Sequence, residues 1–467
     1  MTQIEALAGP RFATFGTLPV VTPAGVTRLP LYGVLGYIAA TFLLFLLWPV
    51  NWPIYGLGQW ARLISYVLLV LAVTSWATYV GSAGQTRVTA PLPHLKIILA
   101  LGAIASALIL IPTSYTYTGR PPWQALDALR DQALAYRRLL TQLYATTGQR
   151  NAVVILRAVM SPLTYGVLPL GIIHWRTIGW WGRISVIVTV LSSIIFSIMR
   201  GTDKEVADLF IVGVSAVAVS FGRAHALGAK GMELMRRHWR WILVGLVFIY
   251  FAEGLFTERR TERLGRFESR PSVCANSSQI CANLDNPWIA WLPTSQRLSL
   301  SIFIMSTCSG YYGLELGLEK PFESSFGVGH SPAALTAFET VTGDLGPHLK
   351  TFTYRNGEER WFEENYWSTL VTWIANDVSF PGAVFVLGAL GWLWGKWWRE
   401  AAAGMSDPAA VLFVLATTMM VYFPANNQVL GSYDGYFEVG VWVVIWLWHR
   451  SRRKLSASLA IDLEAQA

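Results

Sequence analysis

Long apolar runs constrain this chain more than any other feature. A run of about 20 mostly apolar residues matches the hydrocarbon thickness of a bilayer, where each backbone amide must be satisfied within its own segment. Such runs therefore read as helices. They fall at about residues 31–50, 61–82, 95–113, 159–175, 181–199, 206–222, 241–257, 378–397, 409–424 and 436–449. The expected fold is all-α: a polytopic integral membrane protein of about ten transmembrane helices, with residues 1–467 forming one transmembrane domain. A composition of 53% hydrophobic and 14% charged residues excludes an ordinary soluble enzyme.

Residues 1–28 are polar and rich in Gly and Pro, so no cleavable signal peptide is expected there. Lys and Arg in the short connections set the orientation. The tail HRSRRK after Trp448 is the strongest stop signal. Placing it in the cytoplasm also places there the connections around Arg176 and Arg183, Arg223 to Arg240, and Lys396 and Arg399. Both termini are then cytoplasmic. The other face receives residues 114–158, the turn at 200–205, the long interval 258–377 and the turn at 425–435. The net charge of +8 is spread over many loops, which suits anionic lipid and gives no basic patch for nucleic acid.

The outer segments carry the polar character. Interval 258–377 is expected to form a large loop or lid with interfacial helices, including a re-entrant or surface-lying element at Leu298 to Leu318. Residues 121–145 repeat apolar side chains from Trp123 to Leu143 at spacings of three and four, the pattern of an amphipathic helix. That helix either lies in the headgroup region or packs on its neighbours. Cys274 and Cys281 share one polar loop and pair as a disulfide if that loop meets an oxidising compartment; otherwise they are free thiols.

The densest polar turn is MRGTDKEVAD, between two runs. Arg200 and Lys204 supply forked and point-charge contacts for a phosphate, and the next helix adds backbone donors at its start. Asp203 orients Arg200 or caps that helix. The bland alternative is a capped turn whose charges meet water. In YYGLELGLE, Tyr312 and Glu315 share a helical face, where a ring stacks on a sugar and a carboxylate takes a hydroxyl proton; an interfacial tyrosine belt looks alike. His330, in FGVGHSP, is a candidate base or phosphate donor, or a structural histidine. Asn427 and Asp434, in the last outer turn, are candidates for a glycan groove. No Walker loop, dinucleotide fingerprint, Cys/His metal spacing or Ser-centred elbow occurs in the sequence, so neither metal nor cofactor is expected.

Three stretches together resemble the oligosaccharide repeat-unit polymerases of bacterial surface polysaccharides, the Wzy type: MRGTDKEVADLF after an apolar run, YYGLELGLEKPFESSFGVGHSPA, and YWSTLVTWIANDVSFPGAVFVLGALGWLWGKWW. The resemblance covers roughly Ile184 to Trp448 and implies the architecture shared with O-antigen ligases. It implies a metal-independent glycosyltransferase of the bacterial inner membrane with its site facing the periplasm. Such an enzyme moves a growing glycan from undecaprenyl pyrophosphate onto a new lipid-linked repeat unit, and a chain-length regulator is a possible partner. Arg200 is the best match for a pyrophosphate-holding arginine, and Glu315 or His330 for the group that takes the acceptor's proton. A ligase of the same architecture and a transporter are the alternatives. A transporter would carry ionisable groups at mid-span. A glycosyltransferase using polyprenyl-phosphate sugars would carry an acidic pair in the first outer loop, and NWPIYGLGQW has none.

Overall fold

The computed structural model describes residues 20–21, 27–89, 91–145, 147–229, 239, 272–274 and 280–464. The long helices are α1 (Leu29–Leu47), α2 (Leu57–Ser82), α3 (Leu95–Thr118), α6 (Thr147–Ile173), α7 (Gly179–Arg200), α8 (Lys204–Ala226), α9 (Thr294–Glu319), α11 (Leu370–Ala402) and α13 (Tyr433–Glu464). Among the shorter ones are α4 (Ala125–Arg130), α5 (Gln132–Ala145), α10 (Pro332–Thr342) and α12 (Asp407–Val421), and two single-turn helices follow α10 at Gly346–Leu349 and Phe352–Arg355. Among the described residues, seven helices are long and apolar enough to cross a membrane: α1, α2, α3, residues 152–173 of α6, α7, α8 and α11. The expected run at 409–424 is α12, only 15 residues long. The run at 436–449 lies inside α13, whose first turns carry Asp434 and Glu438. The expected run at 241–257 lies outside the described residues.

Small residues let the helices approach closely where lipid offers no hydrophobic drive. Gly391 and Gly395, four apart on α11, face Thr74, Thr78 and Ser82 of α2; a Cβ at Gly395 would lie 2.3 Å from the Thr78 carbonyl oxygen. Helix α11 is not straight. Ser379 takes φ 65° and ψ 169° two residues before Pro381, a region that costs a side-chain-bearing residue about 1–3 kcal/mol. The kink divides a lead-in whose residues 370–376 are buried from the part expected to span. The Tyr66 hydroxyl donates to the Phe380 carbonyl beside the kink, at 2.7 Å.

Two expectations change. Helix α9 is neither surface-lying nor peripheral: from Cys308 to Gly317 it is buried. Tyr311 donates to the Ile38 carbonyl and Trp48 to Ser301 Oγ, so α9 crosses α1 as a packed helix. Polar side chains with partners on α1 and α2 lower its hydropathy and made it look interfacial. The amphipathic segment is two helices, because Asp131 leaves helical geometry (φ −138°, ψ 81°) and its Oδ1 accepts from Leu134 N, capping α5. Ala128, Ala135 and Leu139 are buried, while Trp123, Leu126 and Leu129 point outward.

Strands are few. β1 (Val50–Asn51), β2 (Ser272–Cys274) and β3 (Cys281–Asn283) form a small antiparallel sheet in the order β1-β3-β2. Cys274 stands opposite Cys281 and the two form a disulfide.

One end of the bundle is fastened by Asp407 at the start of α12. Its Oδ1 accepts from His174 Nε2 at 2.8 Å and from Arg223 at 3.0 Å, and its Oδ2 from Leu92 N at 3.0 Å. The carboxylate is fully buried. Removing it strands Arg223 and His174, a loss of about 3–5 kcal/mol for a broken buried pair. Asp407→Ala is therefore expected to lower the thermal midpoint of the detergent-solubilised protein by several degrees. An unchanged midpoint would refute the bracing role.

Candidate functional site

At the opposite end, helices α3, α6, α7, α8, α12 and α13 line a cavity of about 290 Å³, near the lower bound of about 300 Å³ for ligand pockets. Seven charged residues line it: Arg157, Arg200, Lys204, Glu205, Asp208, Asp434 and Glu438. Below them lie hydroxyls from Ser106, Thr113, Thr164, Thr189 and Ser192. From Thr189 to Arg200, at 1.5 Å per residue, the lining extends about 16 Å along α7. Three acids each hold a cation. Arg157 donates to Asp434 at 2.7 Å, Arg200 pairs with Glu205, and Lys204 lies 3.8 Å from Asp208.

Local structure places these groups. The turn after α7 needs left-handed backbone at Gly201 (φ 60°), where a Cβ would also lie 2.6 Å from the Gln132 carbonyl oxygen of α5. Glycine thus closes α7 and seats the amphipathic pair against the turn. Glu205 also accepts from Thr202 Oγ1 at 3.0 Å, so the turn and the first turn of α8 share one carboxylate. Two aromatic rings set the arginines side by side. The Arg157 and Arg200 guanidiniums both lie within 6 Å of the Tyr117 and Phe196 rings, at 5.6 and 5.4 Å and at 5.8 and 5.3 Å respectively. Cation–π contact at this range favours both cations.

Of the residues singled out from sequence, the cavity gathers Arg200, Lys204 and Asp434. Asp203 stands at the start of α8 outside the lining and makes no side-chain cap bond to the helix. Glu315, 1% exposed, is ion-paired with Arg62 of α2, and that same arginine reaches Glu319 at 2.8 Å. Tyr312 packs on Trp52 and edge-on to Trp361. This pair joins α9 to α2 and to the 361 loop and does not face Arg200. His330 and Asn427 stand next to the cavity without lining it. Asn427 Nδ2 donates to the His330 carbonyl at 2.7 Å, and Ser331 Oγ donates to that of Leu430. The 427–432 turn thus has one face on this loop, while its Gln428, Val429 and Ser432 line the cavity.

The His330 loop is fixed by Asp377, just before the α11 kink. Asp377 accepts from Ser325 Oγ at 2.6 Å, Gly329 N at 2.8 Å, His330 N at 2.9 Å and His330 Nδ1 at 2.8 Å. A carboxylate only accepts, so Nδ1 carries the proton and Nε2 receives the Tyr436 hydroxyl. Sequence reasoning missed Arg157 and Glu438. Arg157 lies in a helical stretch with no polar cluster around it, and Glu438 sits in an apolar run where the charge alone was the signal.

His348 is held between two carboxylates. Its Nδ1 lies 2.6 Å from Glu339 Oε1 and its Nε2 meets Glu363. The hydrogen bond to Glu363, with help from the charge of Glu363 and from Glu339, outweighs partial burial and raises the imidazole to about 9. A histidine raised in the folded state stabilises fully below its free value of about 6.5 and loses that contribution as pH climbs through the folded value. Hydrogen-exchange protection of α10 and residues 346–363 is therefore expected to fall between about pH 7 and pH 9.5, beyond the intrinsic rate change, and His348→Gln to remove that dependence. Flat protection across the range would contradict the pairing.

No known protein-family model, curated protein or solved structure matches this chain.

Proposed function

We propose that this chain is a membrane glycosyltransferase that elongates a polysaccharide. It would transfer a growing glycan from undecaprenyl pyrophosphate onto a new lipid-linked repeat at the periplasmic face of the bacterial inner membrane. The observation that carries this reading is the convergence of Arg157, Arg200 and Lys204 on one cavity at the ends of apolar helices. Paired arginines suit a pyrophosphate: each fork binds two oxygens, and charge developing on the leaving group is neutralised without a metal. Glu205, Asp208 and Asp434 hold the cations in place, and the entering phosphates compete for them.

The hydroxyl-lined depth beneath the charges suits a polar headgroup, and at about 290 Å³ it accommodates one headgroup and not two glycans. The acceptor would then approach from the side of the 427–432 turn and the His330 loop, where Tyr436 and Asn427 offer sugar contacts. A ligase of the same architecture would use the same cavity. A transporter is less favoured, because six of the seven charged residues lining the cavity lie in the last turn of α7 and the first turns of α8 and α13, with Arg157 alone inside α6.

A strain lacking this protein is expected to accumulate single lipid-linked repeats in place of long glycan. A normal glycan ladder would sink the polymerase reading, and finished polymer held on its carrier would replace it with the ligase. In the complemented strain, Arg200→Ala is expected to reduce polymer at least about 100-fold, the scale of one lost charge-stabilising donor, with the protein still inserted. Full polymer from that variant would remove Arg200 from the site.

A further inference from the structure

We infer that Glu438 is the group that takes the acceptor's proton in this cavity, an assignment that rests on the glycosyl-transfer reading above. Four carboxylates line the cavity against three cations. Asp434 is bound by Arg157, Glu205 by Arg200, and Asp208 by the Tyr422 hydroxyl at 2.9 Å with Lys204 nearby. Glu438 is the remaining one, with no hydrogen bond or ion pair among the described residues.

Its position follows from α13. Gly435 and Glu438 are three residues apart and Asp434 and Glu438 four, so all three share the helical face turned to the cavity. Gly435 keeps that face thin: a Cβ there would lie 1.7 Å from the Val429 carbonyl oxygen, so the turn rests directly on the helix. The charged and titratable groups facing Glu438 are Asp434 on its own helix, Asp208 and Lys204 of α8, and Arg157 and Tyr165 of α6. The two cations among them already have acid partners. A carboxyl so placed is uncommitted and within the volume that holds the pyrophosphate cations.

Glu315 and His330 lack this combination. Glu315 is committed to Arg62, outside the cavity lining. His330 is occupied on both ring nitrogens and stands behind the 427–432 turn.

The step balances as one displacement. The acceptor hydroxyl oxygen forms a bond to the donor's anomeric carbon, and its proton passes to Glu438 as the bond forms. The bond from that carbon to the pyrophosphate oxygen breaks, its electron pair leaving on undecaprenyl pyrophosphate beside Arg157, Arg200 and Lys204. Glu438 then returns its proton to water.

The test uses the full chain in nanodiscs with a synthetic undecaprenyl-pyrophosphate-linked repeat unit. Wild-type protein is expected to lengthen the glycan, with a rate that falls on the acid side as the base becomes protonated. Glu438→Gln is expected to lose about 100-fold or more in turnover, the usual worth of a positioned base, and to lose that acid limb. Its affinity for the lipid-linked substrate, read by native mass spectrometry, should stay within about twofold of wild type. Glu438→Asp should recover part of the rate and the acid limb, which a merely structural role would not give. Turnover in Glu438→Gln near the wild-type rate, or a loss matched by lost substrate affinity, would overturn the assignment. Failure of wild-type protein to lengthen the substrate would instead overturn the glycosyl-transfer reading.

Discussion

The ion pair between Arg157 and Asp434 holds the cavity end of the molecule together. It joins α6 to α13, and Ser161 Oγ reinforces the joint by donating to the Asp434 carbonyl at 2.8 Å. With Arg157 held there, its guanidinium rests on Tyr117 of α3 and Phe196 of α7, the same rings that carry Arg200. One contact thus fixes four helices around a charged volume. Taking charge out of water is costly unless each charge is paired. Each cation here has a carboxylate: the two arginine pairs each join two helices, and Lys204 lies near Asp208 one turn along α8.

The two ends of the bundle use the same chemistry for different purposes. At Asp407 both carboxylate oxygens accept from protein donors and the carboxylate is fully buried, which makes a brace. At Arg157 and Arg200 the pairs line open volume and an additional acid stands unpaired. The contrast decides where chemistry is sought. A polar cluster that satisfies itself completely is structural, and one with space and an uncommitted group beside it is suited to a substrate.

The sequence exposed the helices well because hydrocarbon permits so few backbone solutions. The six apolar runs up to α8 are helices in the structure, and Ser379 and Pro381 mark the place where the expected eighth begins after a buried lead-in. The site was half legible. Arg200, Lys204 and Asp434 were visible as polar residues at the ends of runs. Arg157 was hidden because its partner lies 277 residues away, and no local pattern reports such a contact. Glu315 misled for a related reason: its neighbours Tyr311 and Tyr312 suggested a sugar-binding face, yet their partners are Ile38, Trp52 and Trp361, and the face is packing. Hydropathy also undervalued α9, since polar groups satisfied by α1 and α2 count as polar in a sequence and as core in a fold.

The central claim is that one cavity holds a lipid-linked pyrophosphate between the two arginines. The most direct measurement is a cryo-electron-microscopy structure of the full chain in nanodiscs with a non-transferable undecaprenyl-pyrophosphate sugar. The account predicts pyrophosphate density in contact with the Arg157 and Arg200 guanidiniums, with the sugar toward Glu438. Density for the pyrophosphate elsewhere, against Arg62 and Glu315 for instance, with the cavity unchanged, would contradict it.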